Sequence, residues 1–127
     1  SSGDMNYASA AAGLADDFSV FPSTEAALEE ARSGRFAGCI SATANVNSDL
    51  CARGYRNGDR EALAQAVAIR GLLNGKPVIA GVKVLLAHLR ADPDWARVLP
   101  PLTDLSATDQ AAVIDGYENI RAGNQAA

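Results

Sequence analysis

Two rhythms of apolar and polar positions divide this chain near residue 45. Residues 4–15 are rich in alanine, with Asp4 placed to cap and Gly13 near the end, and predict a short helix. Phe18-Ser19-Val20-Phe21 is a short β-prone run stopped by Pro22. Ser23 or Thr24 then caps a helix through Glu25, Ala26, Ala27, Leu28 and Ala31. Glu25, Glu29 and Glu30 stand toward its start and Arg32 toward its end, as the helix dipole favours, and Gly34 closes it. Residues 36–44, Phe-Ala-Gly-Cys-Ile-Ser-Ala-Thr-Ala, are mostly apolar without strict alternation. That pattern predicts a parallel strand covered on both faces. The order helix, strand, helix, strand is the rhythm of an α/β fold.

Beyond Asn45 every predicted element is a helix. One covers about residues 48–55 and stops at Asn57-Gly58; a longer one, capped by Asp59, runs to about Leu73 and stops at Asn74-Gly75. Ile79, Val82, Leu85, Leu86 and Leu89 share one helical face, and Pro93 lies beyond that helix, where it does no harm. Residues 98–105 carry Pro100-Pro101 and predict an extended loop. Ser106 and Asp109 form a capping box with Asp in place of Glu, and Val113, Ile114, Tyr117 and Ile120 mark the inner face of the last helix. Two parallel strands have open edges and two faces to cover, so they do not make a self-sufficient sheet. The chain therefore reads as a piece of a larger α/β fold, with residues 1–57 as one part and 58–127 as a helical region.

Composition narrows the function. Hydrophobic residues are 48% and charged residues 20%, the mark of a chain with a packed core. The net charge of -4, with no basic run, argues against nucleic acid or an anionic membrane as partner. Apolar stretches break well short of the roughly 18 residues that span a bilayer, and the expectation is a soluble, cytoplasmic protein. The two cysteines, Cys39 and Cys51, make neither a disulfide framework nor a C-x-x-C unit, and with one histidine they build no zinc site. The opening Ser1-Ser2-Gly3-Asp4 reads either as the remnant of a tag or as a native loop.

Several positions carry chemistry and a plainer reading together. The Ser1–Asp4 turn before a helix can take an anion or simply cap. Pro22-Ser23-Thr24-Glu25 lies at the C-terminal end of the first predicted strand, the end that carries ligands in α/β folds. The hydroxyls of Ser23 and Thr24 suit substrate oxygens and equally suit a helix cap. Ile40 to Asn45 ends the second strand with small residues that leave room for a ligand and a carbonyl to face it. His88 lies off the apolar stripe of its helix and reads as structural; Trp95 reads as an anchor for the following loop. Lys83, between apolar positions, reads as a snorkelling or paired lysine before a nucleophile. There is no Gly-rich phosphate loop, H-E-x-x-H or G-x-S-x-G.

The stretch from Gly38 to Asn47, Gly-Cys-Ile-Ser-Ala-Thr-Ala-Asn-Val-Asn, is similar to the G-V-I-S-V-T-A-N-V segment of the dihydrodipicolinate synthase / N-acetylneuraminate lyase family. The unit from Phe18 to Ala31 resembles the strand and helix before it. Ser2-Gly3-Asp4 resembles the S/T-G-D/N that follows that family's Schiff-base lysine, Pro77 to Leu89 its P-x-x-V-K helix, and Leu99-Pro100-Pro101-Leu102 its late proline loop. In order, the resemblance covers nearly the whole chain.

The resemblance implies the C-terminal part of a (β/α)8 TIM barrel, with strands seven and eight, followed by a C-terminal helical region, assembled as a homotetramer. It implies a pyruvate-dependent class I aldolase or lyase, in which a lysine condenses with pyruvate or a related 2-keto acid and the enamine meets an aldehyde. No cofactor is implied beyond that covalent lysine. By the resemblance, the lysine and the proton-relaying tyrosine belong upstream of Ser1, in the missing N-terminal part of the barrel, so the chain alone should be inactive. Carried over by position, Ile40 turns its carbonyl toward the keto acid, Ser23 and Thr24 contact the second substrate, Glu25 stands where sialic-acid-type lyases hold the sugar chain, and Ser1 lies just beyond the lysine. Ser23 replaces a common glycine, Thr24 a usual aspartate and Ala42 a serine, so the aldehyde partner stays open. The alternative is a non-catalytic helical binding or oligomerisation module derived from that family.

Overall fold

The structure is a computed structural model, and it describes residues 4–14 and 17–123. The order of elements is α1 (Met5–Ala12), a 3-10 turn (Glu25–Ala27) running into α2 (Leu28–Arg32), α3 (Ala44–Asn57), α4 (Arg60–Gly71), α5 (Val78–Arg90), a second 3-10 turn (Pro93–Ala96), and α6 (Ala107–Gly123). The chain divides into two compact units, Ser1–Val67 and Ala68–Ala127.

The expected TIM-barrel portion with strands seven and eight is overturned: among the described residues every regular element is helical and there is no sheet. The two segments read as strands lie side by side in the same direction. Ala37 N–H donates to the Val20 carbonyl (2.9 Å) and Ile40 N–H to the Pro22 carbonyl (3.0 Å). A parallel ladder needs return bonds from the first segment, and Pro22 has no N–H to give one. The apolar composition of 36–44 is that of a buried strand, but a strand is held by a paired neighbour, and among the described residues no ladder forms.

The helices begin and end where side chains satisfy the free backbone groups. Asp4 accepts from the N–H groups of Asn6 (2.9 Å) and Tyr7 (3.1 Å) at α1. Asp59 accepts from Ala62 N–H (2.9 Å) at α4, and Ser106 from Asp109 N–H (3.1 Å) at α6. Gly58 ends α3 in the left-handed region at φ 68°. Ala91 ends α5 there too, at φ 51°.

In the first unit Ala8, Ala27, Ala31 and Phe36 form a small core, with Met5, Ala12 and Val20 packed against it. Val46, Leu50, Ala62 and Ala66 are buried as well. The helices α3 and α4 approach closely at Gly54, where an added Cβ would stand 3.1 Å from Leu63 Cβ.

In the second unit the buried face of α5 is Ala80, Gly81, Val82, Val84 and Leu85. This differs from the predicted stripe, because Ile79 and Leu89 are exposed. Val82 and Leu85 of that stripe are buried, and Gly81 joins them: a Cβ there would meet Leu73 Cδ2 at 2.4 Å, so bare backbone makes this contact. On α6, Val113 and Tyr117 are buried as the periodicity predicts.

Candidate functional site

The site is built where the two extended segments end together. The bond from Ile40 N–H to Pro22 C=O sets the start of the 22–25 turn beside residues 40–43. Thr24 turns the chain into its 3-10 helix by accepting from Ala26 N–H (3.3 Å). That puts Glu25 on the inner side, with no exposed surface. From the other segment, the Ser41 carbonyl accepts from Ala44 N–H (3.3 Å) as α3 begins.

A buried polar network follows. The Thr43 hydroxyl donates to Glu25 Oε1, and Thr43 Oγ1 lies 2.8 Å from Ser41 Oγ. Asn47 Nδ2 donates to the Ala66 carbonyl (3.2 Å) and weakly to Glu25 Oε1 (3.4 Å). Asn47 breaks the regularity of α3, at φ -140° and ψ 21°, as it reaches these partners. Its Oδ1 accepts from the Cys51 thiol at 3.4 Å. Glu25 Oε2 has no hydrogen-bond partner although it is buried. Burial, with the Glu25 carboxylate adding in the same sense, pushes the Cys51 thiol up to about 12 and also raises Cys39. Both thiols are therefore poor nucleophiles at neutral pH.

A groove of about 260 Å³ is lined by Tyr7, Ala8, Ala11, Phe18, Phe21 and Ile40, among others. Phe18 (60% exposed) and Ile40 (61%) present large apolar side chains there.

No protein-family model, curated protein or solved structure matches this chain.

The positions singled out from the sequence are brought together unevenly. Ile40 is exposed at the groove, with its N–H engaged and no hydrogen bond to its carbonyl among the described residues. Ser23 is half-buried on the 22–25 turn and does not line the groove, while the Thr24 hydroxyl is engaged as a cap. Glu25 is sealed inside. Ser1 lies outside the described residues. Sequence reasoning missed Ser41, Thr43 and Asn47 as a unit. The available signal was that polar side chains alternate with apolar ones at 41, 43, 45 and 47 after an apolar run.

The two lysines lie in the second unit. Lys76 pairs with Asp109 (3.4 Å), and Lys83 is half-buried at a cleft of about 180 Å³ with Asp92, Asp94 and Trp95. His88 Nε2 meets Glu118 Oε1 at 2.7 Å on the surface, a structural pairing, and the Arg90 guanidinium stacks over Trp95 at 4.7 Å. Among the described residues no group of His, Cys, Asp and Glu could hold a metal ion, and no helix is long and apolar enough to cross a membrane.

Proposed function

We propose that this chain is a non-catalytic part of a Schiff-base-forming, pyruvate-dependent aldolase or lyase, working in the cytoplasm on a 2-keto acid and an aldehyde as part of a homo-oligomer. The amine comes from polypeptide outside residues 1–127. The observation that carries the reading is the meeting of the two resembling segments: the bond from Ile40 N–H to the Pro22 carbonyl sets Ile40, which lines an open apolar groove, beside the turn that carries Ser23. Ile40 then offers a carbonyl and Ser23 a hydroxyl to the keto acid and its partner, and the groove is covered by the polypeptide that brings the amine. Neither lysine of the chain fits the nucleophile, since Lys76 is held by Asp109 and Lys83 sits beside two carboxylates.

The test is intact mass after pyruvate and borohydride. It is run on this chain alone and on the same chain joined to the coding sequence that precedes it. The expected result is no adduct on the chain alone and one pyruvate adduct on the longer product, at a lysine outside residues 1–127. An adduct on Lys76 or Lys83, or none on the longer product, would overturn the reading.

A second reading is a helical binding or oligomerisation module. It is favoured by one observation: the described residues form helices with cores of their own and no sheet. A sharp, cooperative melt of the chain alone, with no adduct on either product, would select it.

A further inference from the structure

In the second unit, α5, the second 3-10 turn and α6 border an open cleft of about 460 Å³. Val84 and Ala87 of α5, Pro93 of the turn and Ile114 of α6 give it an apolar lining. Its size is within the range of clefts that take a small organic molecule. Three polar side chains share the lining, His88, Asp92 and Gln110, and each is already held on one side. The Gln110 amide donates to the Leu105 carbonyl (2.9 Å), which leaves its Oε1 and one N–H. Asp92 Oδ1 accepts from Asp94 N–H (3.0 Å), which leaves Oδ2. His88 Nε2 meets Glu118 Oε1 at 2.7 Å. A carboxylate only accepts, so Nε2 carries the ring proton and Nδ1 of the neutral ring is an acceptor. Each of the three thus keeps an acceptor.

The charge points the same way. No lysine or arginine lines the cleft, and Asp92 is its carboxylate. The cations around it are engaged elsewhere: Arg97 pairs with Asp94 (3.5 Å), Lys76 with Asp109 (3.4 Å), and Arg90 lies over Trp95. Lys83 lines the adjoining cleft with Asp92 but stands outside ion-pair distance of it. Among the described residues Asp92 has no ion-pair partner.

We propose that this cleft binds an organic ammonium ion with a short apolar chain. The chain lies on Val84, Ala87 and Ile114, and the ammonium donates to Asp92, with Gln110 and His88 as the further acceptors. The site is a different place from that of the keto-acid reading and does not depend on it.

The probes are hexylammonium, hexanoate and hexanol, which share one chain and differ in head group. Each is titrated into the whole chain at pH 8, and the methyl signals of Val84 and Ile114 are followed by NMR. Hexylammonium should shift both and bind about three- to tenfold more tightly than hexanoate, which is what an exposed attraction in place of a repulsion supplies. Hexanol should fall between them. Asp92→Asn removes the charge and keeps the capping oxygen, since Asn caps as well as Asp. That variant should bind the three probes alike, within about twofold. Equal binding of hexylammonium and hexanoate by the wild type would overturn the proposal. So would tighter binding of hexanol, or no methyl response to any probe. A preference that persists in Asp92→Asn would overturn it too, since Asp92 would then not be the acceptor. The comparison of probes on the wild type needs no variant to fold, and no outcome bears on the borohydride test.

Discussion

Ala91 shows how one residue bears a cost set by its backbone. It ends α5 at φ 51° and ψ 36°, a left-handed conformation that glycine adopts without steric penalty. Ala91→Gly should stabilise the chain by about 0.5–1 kcal/mol, read as a rise in the midpoint of a thermal or urea melt. At Cys51, a thiol raised to about 12 from 9.0 carries roughly a thousandth of the usual thiolate at pH 8. A more basic thiolate is also more nucleophilic, so its alkylation by iodoacetamide in the folded chain should be slower than in urea by more than about tenfold, and should rise with pH. Fast labelling at pH 8 would show that Cys51 is not held as described. Glu25 was legible as an acidic residue in a helix's first turn, and its burial was not. Its partners Thr43 and Asn47 lie 18 and 22 residues further on, and no local pattern joins them.

At the scale of the elements, caps and stops were the most legible features. Asp4, Thr24, Asp59 and Ser106 all cap where their short acceptors precede an apolar run, because that chemistry is local. The two strands were misread, since a β-prone run becomes a strand only beside other strands and the described residues hold none. The stripe on α5 was legible at its centre, where Val82 and Leu85 are buried, but not at its ends, where Ile79 and Leu89 are exposed, and Gly81 carries no hydrophobicity and yet makes a close approach. Gly81→Ala should destabilise the second unit by about 1–3 kcal/mol, since Leu73 is itself buried and must move. Asp59 makes a pH prediction for α4. The Ala62 amide, with the Arg53 guanidinium, holds its carboxyl below the ordinary 3.8. A lowered pKa gives stability that is complete above the unfolded value and is lost as pH falls through the folded one. Wild type should thus lose stability below about pH 4 with a component that Asp59→Asn lacks. Identical acid profiles for the two would count against the cap.

The whole molecule joins a helical structure to a resemblance carried by short segments. Those segments meet in the first unit at the Ile40–Pro22 bond, and they leave Phe18 and Ile40 open on an apolar groove. The fold class was misread because two apolar, β-prone runs were taken as strands, whereas they lie as extended segments joined by two hydrogen bonds and every regular element among the described residues is helical. The site was partly legible: Ile40 and Ser23 were named, while Ser41, Thr43 and Asn47 emerged only when the chain was seen folded. The central claim is that these residues serve a reaction whose amine lies elsewhere. Pyruvate and borohydride, followed by intact mass and localisation of any adduct, test it most directly. The account predicts an unmodified chain by itself and a single adduct, outside residues 1–127, when the preceding coding sequence is joined to it. An adduct on Lys76 or Lys83, or no adduct on the longer product, would contradict it.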